Sequence, residues 1–70
     1  MMSYRIVEQE TRCWNPLAEA IEIGRYDSAY SAMEAMKRAL VRLGHAPNWF
    51  LLDASGRILA GPEDVYDAVA

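Results

Sequence analysis

The order of apolar and polar positions divides this chain into short alternating runs and one long helical stripe. Residues 4–13 begin with Tyr4, Ile6 and Val7 and continue in charged and polar groups, the pattern of a half-exposed strand. Ala18 to Gly24 sets Ile21 and Ile23 against Ala20 and Glu22, a period of two that predicts a second strand. Between them, Trp14-Asn15-Pro16-Leu17 supplies turn chemistry, because proline fixes its own φ and asparagine tolerates tight conformations. From Ala29 the spacing changes. Ala29, Ala32, Met33, Met36, Leu40 and Leu43 recur at the intervals of one helix face, with Asp27-Ser28 as the cap before them. Gly44 follows, where a left-handed residue ends a helix without a clash at Cβ. The opposite face carries Ser31, Glu34, Arg38 and Arg42, and Glu34 stands four residues before Arg38, the better orientation for an ion pair.

Pro47 lacks an amide donor and prevents the helix from restarting. Asn48 to Asp53 is then short, aromatic and apolar, as in a strand buried on both faces. Trp49 and Phe50 must point to opposite sides of it, and alternation alone does not say which meets the helix. Asp53 to Arg57 carries a hairpin signal, a type I turn closed by Gly56, and Arg57 to Gly61 returns as a fourth strand. Pro62, with Glu63 and Asp64 beside it, opens a short last helix running to Ala70. The expected fold is α+β, one domain over residues 1–70. It holds a four-stranded, mostly antiparallel β-β-α-β-β sheet with one long helix on one face and a C-terminal helical turn.

Composition narrows what such a domain can do. At 70 residues almost every large apolar side chain is needed for one core, which leaves little for an elaborate active site. The first residues lack the long apolar core of a signal peptide and no apolar run reaches bilayer length, so a cytoplasmic location without membrane contact is expected. Cys13 is the only cysteine; it has no intrachain disulfide partner and reads as a small buried hydrophobe near a strand end. A net charge of -3 gives a poor surface for holding a phosphate backbone, so direct nucleic-acid binding is not expected.

The side chains of hydrolytic chemistry are sparse. His45, the only histidine, falls in the helix-exit loop as a solvated group, and one histidine with one cysteine cannot make a zinc set. The four glycines stand apart at 24, 44, 56 and 61, so there is no phosphate-binding loop. Neither an enzyme nor a cofactor is expected. Carboxylates remain: Glu8 and Glu10 on one face of the first strand, Glu22 on the second, and Glu63, Asp64 and Asp67 in the last helix. They form either a solvated acidic surface or a face that engages a basic groove on a protein partner. Trp14, beside a proline at a hairpin tip, either caps the edge of the core or anchors that partner. Monomer and homodimer both fit, the latter through an edge strand such as residues 4–11.

Two resemblances add to this reading. From Ala35 onward, Ala-Met-Lys-Arg-Ala-Leu, then Gly44, Ala46-Pro47-Asn48-Trp49, Leu52, Arg57-Ile58-Leu59-Ala60 and Pro62-Glu63 resemble the C-terminal half of a small anti-CRISPR protein of phages and mobile elements. That resemblance covers roughly thirty residues. It implies a non-catalytic inhibitor that binds a type I CRISPR-Cas surveillance complex or its nuclease. An acidic chain can act there by mimicking nucleic acid, with Glu8, Glu10, Glu22, Glu63, Asp64 and Asp67 in recognition and Trp14 as an apolar anchor. Residues 24–40 are also similar to the strand-to-helix passage of HicB-like antitoxins and small ββαββ domains, which implies pairing with a partner protein instead.

Overall fold

In a computed structural model, residues 3–69 are described. The elements are β1 (Tyr4–Glu8), β2 (Ile21–Tyr26), α1 (Ala29–Leu43), β3 (Trp49–Leu52), β4 (Ile58–Ala60) and α2 (Pro62–Val69). The predicted helix position Ala70 lies outside the described residues. The strands form one sheet in the order β2-β1-β3-β4, with every neighbouring pair antiparallel. This is the α+β architecture the sequence pattern implies.

Local chemistry sets the helix ends. The Ser28 side chain accepts a hydrogen bond from the Ser31 amide at 3.1 Å, satisfying a donor that the first turn leaves free. At the other end Gly44 adopts φ 83° and returns its amide to the Leu40 carbonyl at 2.8 Å. Ala32, Met36, Ala39 and Leu40 are the buried positions of α1. Leu43 belongs to the same stripe but lies in the last turn, beyond the covered part, and is exposed. Glu34 pairs with Lys37 at 2.6 Å rather than with Arg38, which stays exposed. In α2, Pro62 occupies the first helical position, and Asp64 Oδ2 accepts the Gly61 amide at 2.7 Å, half of a capping box.

The sheet divides the apolar side chains between two clusters. Against the helices lie Ile6, Leu51 and Ala60, packed with Ala32, Met36, Leu40, Ala46 and Val65. On the other face Val7, Phe50 and Leu52 are buried beneath Trp14 and Ile58. Alternation along β3 therefore resolves toward Trp49 on the helix side and Phe50 on the outer side.

Several expectations about the first hairpin are corrected. β1 stops at Glu8 instead of running to Cys13, so Glu10 is not on the strand. β2 begins at Ile21 and continues through Gly24 to Tyr26. Its register with β1 shifts at Ile23, which has no opposite residue; this breaks the period of two, and both Ile21 and Ile23 are exposed. β1 is not an edge, because it pairs with β2 on one side and β3 on the other. Cys13 is exposed, since the chain has left the sheet before reaching it.

Candidate functional site

The segment between β1 and β2 builds the most distinctive surface of the molecule. Gln9 is only 4 % exposed and acts as its clamp. Its backbone amide donates to the Asn48 carbonyl at 3.1 Å, continuing the strand pairing by one bond. Its side-chain Nε2 donates to the carbonyls of Asn15 (2.7 Å) and Ala18 (3.3 Å), while Oε1 accepts the Asn15 amide at 3.0 Å. Asn15 in turn closes the predicted turn, accepting from Leu17 on its side chain (3.0 Å) and from Ala18 on its carbonyl (3.1 Å). Asn48 ties in the near side by donating to the Glu10 carbonyl at 2.9 Å. Both polar ends of the buried Gln9 side chain are thereby partnered, and they tie the loop back onto the end of β1.

That loop and the ends of β1 and β2 enclose a concavity of about 670 Å³. Glu8, Glu10 and Glu19 line it, together with Ile21 as an apolar member and with Gln9 and Asn48. These three carboxylates enter no ion pair among the described residues. Acids that share a hollow without ion-pair partners leave a local negative potential, which attracts cationic groups and repels phosphate.

The other anticipated carboxylates are differently placed. Glu22 lies between Arg25 (2.9 Å) and Arg5 (3.9 Å), so its charge is offset within the sheet. Glu63 meets Arg12 at 3.6 Å, and Arg12 also sits over the Tyr66 ring at 5.9 Å. Asp64 is occupied in capping α2. Asp67 is exposed on α2, apart from the concavity. Trp14 is half-buried, its ring meeting Phe50 edge-on with centroids 5.2 Å apart. Glu8 and Glu10 are thus brought together; Glu22, Glu63, Asp64 and Asp67 do not join them.

Glu19 and Gln9 are the members that sequence reasoning missed. Glu19 follows an Asn-Pro turn, which could have placed it in a loop; nothing local marks Gln9 as a clamp, because its partners stand six and nine residues away. A second hollow of about 430 Å³, with three basic residues and one acidic, lies on the outer side of α1 among Glu34, Lys37, Arg38, Val41 and Arg42. There the hydrogen bond to Glu34 raises the pKa of Lys37 above its ordinary value. His45 is exposed in the helix-exit loop. Among the described residues no group of three or more His, Cys, Asp or Glu side chains is arranged to hold a metal ion, and no helix is long and apolar enough to cross a membrane. No protein family, no curated protein and no solved structure matches this chain.

Proposed function

We propose that this chain is a non-catalytic inhibitor that binds a protein partner through the acidic concavity, in the manner of an anti-CRISPR protein acting on a type I CRISPR-Cas complex. The observation that carries the reading is that Glu8, Glu10 and Glu19, free of ion pairs among the described residues, line one hollow. Recognition contracts from the whole acidic surface to that one end, since Glu22, Glu63 and Asp64 already serve the fold. A cationic channel built for guide or target strands offers the lysines and arginines such a hollow would engage, so binding there competes with DNA.

The test is a triple charge reversal, Glu8→Lys, Glu10→Lys and Glu19→Lys, with Asp67→Lys as the control outside the hollow. Inhibition of target-DNA binding by a type I complex should be lost in the triple variant and kept in the control, with both folded by circular dichroism. Undiminished inhibition by the folded triple variant would reject the concavity. The β-β-α-β-β order also suits the HicB-like antitoxin alternative. Rescue of cells from a small ribonuclease toxin, without any effect on a type I complex, would favour that reading.

A further inference from the structure

β2 is an outer strand of the sheet, bonded only on its β1 side, and Ile21 and Ile23 are 63 % and 41 % exposed along it. Such an edge offers unpaired amides and carbonyls to another strand. Its extra residue discriminates among the strands that could accept the offer. β2 sets six residues against five of β1, so Ile23 has no opposite number, and a regular strand added on the outer side meets the same mismatch.

A second copy of β2 is the exception, because it carries its own extra residue in the complementary place. Set antiparallel about a two-fold axis between residues 23 and 24, the two strands match one to one. Ile21 then faces Tyr26 of the second copy, Glu22 faces Arg25, and Ile23 faces Gly24, where the Tyr26 side chain of that chain lies 3.1–3.4 Å from the place a Cβ would take. The faces agree as well. Glu22 stands opposite Val7 and Arg25 opposite Arg5, so both project from one side of the sheet despite being three residues apart. Their contact at 2.9 Å within the chain reflects this. Around the axis each charge therefore meets its opposite, and each complementary pair occurs twice.

We infer that two copies of this chain join their β2 strands into a two-fold dimer, merging two four-stranded sheets into one continuous sheet. The inference does not rest on the inhibitor reading. It replaces the self-pairing expected of residues 4–11, whose strand β1 is enclosed by its neighbours.

Light scattering and sedimentation decide the matter. The natural chain should show a dimer whose fraction grows with concentration up to about 1 mM, the weak end of specific association. Glu22→Arg alone and Arg25→Glu alone each set like charges face to face twice, and each should weaken the dimer about ten- to thirtyfold. An equimolar mixture of the two variants should recover it, because opposite charges meet again between the copies. The pair within each chain stays broken in that mixture, so recovery reports only on contact between molecules. A natural chain that is monomeric throughout, or a mixture no heavier than its components, overturns the inference. Should either variant fail to fold, amide exchange of the natural chain decides instead: protection of β2 that rises with concentration supports the dimer, and protection independent of concentration refutes it.

Discussion

Replacing Gln9 tests whether the β1–β2 connection is held by a buried polar clamp. Gln9→Leu keeps nearly the same volume, so no large cavity opens, and the change removes the hydrogen-bonding ends selectively. Three bonds disappear: the donations to Asn15 and Ala18 and the acceptance from the Asn15 amide. The bonds at 2.7 and 3.0 Å each contribute about 1 kcal/mol net, and the 3.3 Å bond contributes less. Water can reach the freed groups of the exposed Asn15, which keeps the penalty for unmade bonds small. The expected loss is about 2 kcal/mol, which for a domain of this size lowers Tm by about 8–16 °C. Gln9→Glu makes a sharper comparison. A carboxylate cannot donate to either carbonyl, and it adds a negative charge to the hollow that Glu8 and Glu10 already line. That variant should be the less stable of the two at neutral pH and should recover in acid as its carboxyl protonates. Urea and thermal unfolding followed by circular dichroism measure both. A Gln9→Leu protein within about 0.5 kcal/mol of the natural chain, or a Gln9→Glu protein as stable as it at neutral pH, would refute the clamp.

Two further outcomes follow from the turn and the outer cluster. Trp14→Ala should cost about 1–3 kcal/mol, below the value for a fully buried tryptophan, because one edge of the ring is solvated while the other covers Phe50; chemical denaturation measures it, and a neutral effect would show that the ring does not cap the cluster. The Asp53 carboxyl is held below its usual value first by the Ser55 hydroxyl and then by the Arg57 amide. Its contribution to stability is therefore complete above the unfolded value and lost as pH falls through the folded one. A carboxyl titration by NMR should give a midpoint below that of free aspartate, and Asp53→Asn should flatten this part of the acid limb; a midpoint at or above the free value would contradict the turn geometry.

Signals that act over a few residues were legible in the sequence. Ser28, Gly44, Gly56 and Pro62 each sit where capping and turn chemistry predict, because a cap needs only its neighbours along the chain. The α1 stripe was readable for the same reason, apart from Leu43, whose exposure follows from where the helix ends relative to its cover. The first hairpin was less readable. The alternating isoleucines marked a strand, but the unpaired residue at Ile23 changes which face follows it, so they did not mark a buried side. A glutamine bonding to distant backbone leaves no periodic trace. Site residues divided along the same line. Whether a carboxylate is free depends on distant partners, such as Arg12 for Glu63, and only the folded chain shows that Glu8 and Glu10 share a hollow with Glu19.

The strand order also bears on how the chain acquires its shape during synthesis. β1 is made first but sits in the middle, and one of its two neighbours is β3, which emerges only after the whole of α1. Pairing so distant in sequence pays its loop-closure entropy before any contact rewards it, so the sheet closes late. Until Trp49–Leu52 leave the ribosome, Ile6 and Val7 have no strand on that side. A nascent chain halted before β3 should therefore be open to proteases and chaperones, and release of the C-terminal hairpin should be the event that makes it resistant.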